Sequence, residues 1–290
     1  MRHVPAGWHP RSRFVDVDGW TTHVVDIGDS KVPIILLHGF LVSSWAWRYN
    51  LRPLAQHARI IAPCQKGFGW TDKRGDDYSL SSLGNFAIRL LDHLGVERAH
   101  WVGNSLGGAV ALYIAAHHPE RVERLVLVDA AGVPFRRGVH MMTKGLQTWM
   151  APVCRAGGRS LVFRTLLRTF AYANIPLDRR YMEGFMTPLS RGGSFRSAIR
   201  VISGLNDGLR ELFPRLESIR APTLIVWGAK DRLVPLKAAH ILNKRLSGSD
   251  LVVFEECGHC PMEEAPDRFN RLLIDFLSEQ RASQVMSARS

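Results

Sequence analysis

Trp101-Val102-Gly103-Asn104-Ser105-Leu106-Gly107-Gly108 decides how this chain is read. A short apolar run ends at Val102, and a helical pattern from Leu106 to His118 closes at Pro119. The intervening Gly103-Asn104-Ser105-Leu106-Gly107 fits G-x-S-x-G, a strand-to-helix turn that pushes a serine hydroxyl into a cleft. The turn is so sharp that a Cβ on either flanking position would collide with the adjacent helix or strand, which is why small neighbours are needed.

Outward from this turn the pattern repeats. Ile34 to Leu37, Arg59 to Ala62, His100 to Val102, Leu125 to Val128, Leu224 to Trp227 and Leu251 to Phe254 are short apolar runs bounded by Gly, Pro or Asp. Such runs suit strands buried on both faces. Helical patterns at Leu80 to Leu94, Leu106 to His118 and Pro266 to Leu277 lie between or after them. Val15 to Asp26 alternates around Asp18-Gly19 as a hairpin does. The expected fold is α/β: a mostly parallel sheet of about eight strands flanked by helices.

One stretch breaks the pattern. Positions 133–220 carry fifteen Lys and Arg against five Asp and Glu, which accounts for ten of the net +12 of the whole 290-residue chain. This stretch lacks strand runs, mixes Leu, Phe and Met with arginine, and breaks at Gly157-Gly158, Pro176, Pro188 and Gly192-Gly193. It reads as an inserted helical cap (133–220) on a core formed by 1–132 and 221–290.

Composition excludes several classes. With 46% hydrophobic and 22% charged residues the chain is neither disordered nor collagenous. The longest apolar stretch, Val102 to Ala116, contains Asn104, Ser105 and three glycines and falls short of a membrane span. Met1 to Pro10 has no apolar secretory core, so a cytoplasmic location is expected. Cys64, Cys154, Cys257 and Cys260 do not make a disulfide framework and read as free thiols.

A serine is a weak nucleophile and needs a base, which in turn needs an orienting acid. His259, in Cys257-Gly258-His259-Cys260-Pro261 just after the last strand, is the expected base. Asp231, after the run Leu224 to Trp227, is the expected acid, and Asp129, which also ends a strand, competes for that role. Negative charge developing on a carbonyl oxygen requires fixed N–H donors, expected from the amides of Leu106 and Phe40.

With these residues in view the chain resembles the α/β-hydrolase superfamily, whose triad follows the order Ser, Asp, His. The resemblance spans everything outside the cap, through His38-Gly39-Phe40, Gly67 to Asp72, Gly103 to Gly108, Trp227 to Asp231 and Gly258-His259 with Pro261, Glu264 and Pro266. The elbow looks like that of esterases and of meta-cleavage carbon–carbon hydrolases, whereas epoxide hydrolases and haloalkane dehalogenases carry an aspartate at the place of Ser105. Two departures stand out. Pro63-Cys64-Gln65-Lys66 lacks the Asp that relatives usually have after the Pro, which puts the bracing of that loop in question. Cys260 stands where carbon–carbon hydrolases commonly have Trp.

The resemblance implies a serine hydrolase acting on a small carboxylic ester through an acyl-enzyme, without cofactor or metal. A carbon–carbon hydrolase using the same residues is the alternative, and a ligand-binding protein without turnover is the rival from another class. The basic stretch raises anionic or carrier-bound substrates, with an ordinary solvated face as the simpler reading; no nucleic-acid motif accompanies it. Cys257-x-x-Cys260 has metal spacing but no second cysteine pair. Trp45, Trp47, Trp149 and Trp227 are candidates for the pocket wall, with core packing as the alternative.

Overall fold

A computed structural model of the chain describes residues 11–135, 164–165 and 167–278. The expectations about Met1 to Pro10, Trp149, Cys154 and Gly157-Gly158 fall outside the described residues.

Eight strands form one sheet: β1 (Ser12–Val17), β2 (Trp20–Ile27), β3 (Ile34–Leu37), β4 (Ile60–Pro63), β5 (Ala99–Asn104), β6 (Val122–Val128), β7 (Thr223–Gly228) and β8 (Asp250–Phe254). Their order is β1-β2-β4-β3-β5-β6-β7-β8; β1 and β2 are antiparallel to their neighbours and the rest run parallel. The β1–β2 turn is made by Asp18 and Gly19 at φ 50° and 80°, the left-handed pair that a two-residue hairpin demands.

The strand period of two sorts the core into two faces. Ile35, Leu37, Trp101, Leu125, Leu127, Ile225 and Trp227 point to one side. Ile34, Leu36, Val102, Val126, Val128, Leu224 and Val226 point to the other. The first face is covered by α2 (Leu80–His93) and α3 (Leu106–His117), following the four-residue α1 (Leu51–Leu54) in the chain. Helix α3 is apolar on nearly every side because it lies under further helices instead of water.

Between β6 and β7 the chain leaves the sheet. Its described part folds as a short π-turn (Leu167–Ala171), α4 (Arg179–Leu189) and α5 (Ser194–Leu212). Asp178 caps α4 by accepting the Tyr181 N–H at 2.7 Å. Gly193, at φ 90°, makes the break before α5, as the sequence suggests. Pro188 is the penultimate residue of α4, which stops at Leu189, so the helix ends beside the proline as the sequence suggests. Helix α5 rests on α2 and α3 through Ala198, Val201, Leu205 and Leu209.

The remaining helices are α6 (Lys237–Arg245), α7 (Pro261–Glu264) and α8 (Pro266–Leu277). The sequence reading misses α6, which buries only Ala239 and Leu242 and so carries almost no apolar period. No described helix is long and apolar enough to cross a membrane.

Candidate active site

Parallel sheets place ligands at the C-terminal ends of strands where the chain reverses its direction of winding. Here that point lies between β3 and β5. Leu37 pairs with Gly103, so two residues further on Gly39 and Ser105 come side by side. A Cβ on Gly39 would stand 3.2 Å from Ser105 Cβ and 3.0 Å from Asn104 Oδ1, and its absence lets the His38-Gly39-Phe40 turn approach the serine.

Ser105 takes φ 54° and ψ −116°, a strained conformation for a residue with a side chain. A Cβ on Gly103 would lie 2.3 Å from the Gly107 carbonyl oxygen, and one on Gly107 2.2 Å from that of Leu37, so both flanks must be glycine. The elbow is pinned to β6 on both sides of its peptide: Ser105 N–H donates to Val128 O and Ala131 N–H to Ser105 O, each at 3.0 Å. Leu106 opens α3 immediately after it and is buried, while Phe40 packs edge-on against Phe68 with ring centroids 5.8 Å apart.

His259 and Asp231 meet directly. His259 Nδ1 lies 2.7 Å from Asp231 Oδ2, and both residues are buried. The other Asp231 oxygen accepts the Leu233 and Val234 N–H groups at 2.7 and 3.0 Å, which fixes the carboxylate plane. Asn104 ties the elbow to the histidine loop, its Nδ2 donating to Val128 O at 3.2 Å and to His259 O at 3.1 Å. Asp129, at φ 46°, accepts the Gly228 N–H through Oδ1 at 3.0 Å. An oxygen of Asp129, an oxygen of Asp231 and a nitrogen of His259 lie within 4.8 Å of one another. These are donors a metal ion accepts, but the short His259–Asp231 hydrogen bond already uses two of them.

Two carboxylates support the histidine loop from outside, and the sequence signals neither role. Glu264 Oε1 accepts the Gly258 and Cys260 N–H groups at 2.9 and 3.3 Å. Its Oε2 accepts those of Ala173 and Asn174 at 2.8 and 3.2 Å. His259 N–H completes the join by donating to Ala171 O at 2.7 Å, so segment 171–174 and the histidine loop are stitched together. Glu263 pairs with Arg48 at 2.6 Å and accepts from Tyr172 and Tyr181 hydroxyls at 3.0 and 3.1 Å. Arg48, Tyr172, Tyr181 and Glu263 come from distant stretches with no shared motif, so only the fold reveals the cluster.

His38 is buried, and its role is structural. Gln65 N–H donates to Nε2 at 3.0 Å, so the ring proton sits on Nδ1 and is donated to Gly39 O at 2.8 Å. Burial holds His38 neutral, its pKa lowered to about 4. The missing Asp after Pro63 is compensated nearby. Cys64 Sγ lies 3.3 Å from His23 Nδ1, and Thr71 Oγ1 donates to Cys64 O at 2.6 Å. Burial raises the Cys64 thiol, but the His23 charge and hydrogen bond outweigh it and bring the pKa to about 7. Cys257 and Cys260 differ: burial pushes Cys257 up to about 12 and Cys260 upward too, which disfavours the thiolates that metal binding or redox exchange needs.

Of the tryptophans, Trp47 and Trp227 are core residues. Trp45 lines a cavity of about 640 Å³ with Arg48, Tyr49, Tyr181 and Glu263, and neither Ser105 nor His259 is in its wall.

The family model described as alpha/beta hydrolase fold matches residues 32–266. A 2-hydroxy-6-oxo-2,4-heptadienoate hydrolase from Pseudomonas putida F1 is 33% identical over 290 residues, covering 92% of this chain and 96% of its own. Among solved structures, a meta-cleavage product hydrolase from Pseudomonas fluorescens IP01 is 30% identical with a TM-score of 0.75, covering 92% of this chain and 98% of its own. An esterase from Exiguobacterium antarcticum is 26% identical with a TM-score of 0.79, covering 91% and 98%.

Proposed function

The chain belongs to the alpha/beta hydrolase family, and from that premise we propose that it hydrolyses the carbon–carbon bond beside a ketone in a 2-hydroxy-6-oxo-2,4-dienoate. The observation that carries this reading is the likeness to the heptadienoate hydrolase over 92% of the chain. The unmatched remainder is far shorter than the 133–220 insertion, so the likeness runs into the region where substrate would be chosen. This reading replaces ester cleavage as the leading one.

Ser105, His259 and Asp231 do the chemistry. Moving the enol proton of the dienoate to C5 gives a 2,6-dioxo form whose C5–C6 bond is ready to break. Ser105 Oγ adds to C6 as its proton passes to His259, and Asp231 orients the ring and stabilises its charged form. The new oxyanion sits against the Phe40 and Leu106 amides. Its collapse breaks C5–C6, and the electron pair runs through the C3–C4 double bond into the C2 carbonyl. The resulting dienolate takes the proton that His259 holds and becomes a 2-hydroxy-2,4-dienoate, leaving the imidazole neutral. Water, deprotonated by His259, then releases the acyl group as a carboxylic acid, so one water is consumed in all. The substrate's C1 carboxylate gives the basic 133–220 stretch a natural counterpart.

Ester hydrolysis by the same residues is the second reading, favoured by Cys260 at the place where carbon–carbon hydrolases commonly have Trp. A yellow ring-cleavage dienoate and a panel of p-nitrophenyl esters, assayed side by side, separate them. A kcat/KM for the dienoate at least a hundredfold above the best ester supports the proposal, and the reverse ranking refutes it. Absence of turnover and of a product burst on both refutes the enzymatic reading in favour of a binding protein.

A further inference from the structure

Asp129 closes β6 beside Asp231 and His259, and its hydrogen bonding does not balance as an anion. Its Oδ1 accepts the Gly228 N–H. Its Oδ2 is buried and meets no N–H or O–H donor among the described residues. Beside it stands the carboxyl of Asp231, an oxygen of each lying within 4.8 Å of the other. An ionised carboxylate only accepts, so two of them side by side are adjacent like charges with no proton between them to share. A proton on Asp129 Oδ2 removes both difficulties, because that oxygen becomes a donor facing an acceptor.

The proton belongs on Asp129 and not on Asp231. Asp231 already accepts three hydrogen bonds, from Leu233, Val234 and the imidazole of His259, so both of its oxygens are engaged as acceptors. Asp129 receives one, from Gly228. Of the groups acting on Asp129, Asp231 and Glu264 both disfavour its anion, and the neighbouring Cys257 and Cys260 carry raised thiols.

We propose that Asp129 is a neutral carboxylic acid that donates from Oδ2 to Asp231, and so acts as a positioning residue for the Asp231–His259 pair. This rests on the reading that the pair serves Ser105. Burial first, and the Asp231 charge second, hold Asp129 well above the ordinary carboxylate range, which agrees with the geometry. The donated proton steadies Asp231 in the orientation that His259 Nδ1 requires, and it keeps a second negative charge away from the imidazole.

Asp129→Asn keeps a donor at the same place and tolerates the positive φ, while Asp129→Ala has no donor. Losing a hydrogen bond to a charged acceptor predicts a 10- to 100-fold fall in kcat/KM for Asp129→Ala. It also predicts an acid limb of the pH profile displaced to higher pH, since the His259 imidazolium would face a carboxylate with one hydrogen bond fewer. Asp129→Asn should recover to within tenfold of wild type with the limb unmoved. Infrared difference spectra of the wild-type protein at pH 7 should show the C=O stretch of a protonated carboxyl that Asp129→Asn removes. An acid limb that falls by a unit or more in Asp129→Asn would mean a charge has been lost, and overturns the proposal. So does absence of the infrared band, or an Asp129→Asn as inactive as Asp231→Asn. If Asp129→Ala does not fold, the Asn profile and the infrared band decide. Full activity in Ser105→Ala sinks the proposed function instead, and leaves the infrared band to judge Asp129 separately.

Discussion

His38 makes the folded protein sensitive to mild acid, and the size of the effect follows from its surroundings. The ring is buried, with Nε2 accepting from Gln65 N–H. Burial, which disfavours the charged ring, brings the folded pKa from 6.5 down to about 4, and protonation would in addition turn Nε2 into a donor facing the Gln65 N–H. A base whose pKa is depressed by folding contributes its stability above the unfolded pKa, and that contribution is lost as pH falls through the interval between the two values. The loss amounts to about 2 kcal/mol at pH 5 and about 3 kcal/mol at pH 4, relative to pH 8. Because the bond holds the turn that bears Phe40, its rupture should disable the oxyanion side of the site before global unfolding. The assay is urea denaturation of wild type and His38→Gln at pH 8, 6, 5 and 4.5. Gln offers an acceptor to Gln65 without titrating, so the variant should be less stable at pH 8, yet its deficit should shrink by about 1.4 kcal/mol per pH unit below pH 6. A stability difference between the two proteins that stays constant across this range refutes the argument.

Other outcomes follow from the site. Ser105→Ala should lower turnover by several orders of magnitude with the fold intact, read by kcat and circular dichroism. Asp231→Asn should cut kcat by about 10³ to 10⁴, because an amide favours the wrong imidazole tautomer, and a serine-directed phosphonate should label it far more slowly than wild type. Glu264→Gln presents an NH₂ group to two of the four N–H donors it now satisfies, so urea melts should show a loss of about 1–3 kcal/mol, with slower phosphonate labelling of Ser105. If the basic insertion draws in anionic substrates, an ω-carboxylate ester should exceed a neutral ester of matched length in kcat/KM at about 20 mM salt. The advantage should fade by about 500 mM, and charge reversal at Arg179-Arg180 should erode it. Equal salt responses would make the stretch a solvated surface.

The sheet was legible because buried parallel strands are short apolar runs with abrupt polar ends, and each run at Ile34, His100, Leu125, Leu224 and Leu251 lies in an observed strand. The elbow was legible for a steric reason, since glycine at 103 and 107 is forced by carbonyl oxygens just over 2 Å from where a Cβ would stand. His259 and Asp231 could be named from their places after the last two strands, and the structure brings them to 2.7 Å. Helix α6 was not legible, because a helix burying two residues leaves no period. Nor was the Glu264 clamp. A carboxylate that accepts four backbone N–H groups is recognised by where the backbone goes, and the backbone of segment 171–174 has no signature of its own. Pro188 was legible as a break, since α4 stops one residue after it.

The conformation of Ser105 sets folding against function at a single position. At φ 54° and ψ −116° glycine would be the more comfortable occupant. Strain of this kind costs about 1–3 kcal/mol, supplied by the sheet and by α3 on either side. Ser105→Gly should therefore melt at a higher temperature than the native protein while having no nucleophile at all. Drift toward greater thermal robustness would erase the enzyme at this residue first, and selection for turnover alone keeps the hydroxyl there.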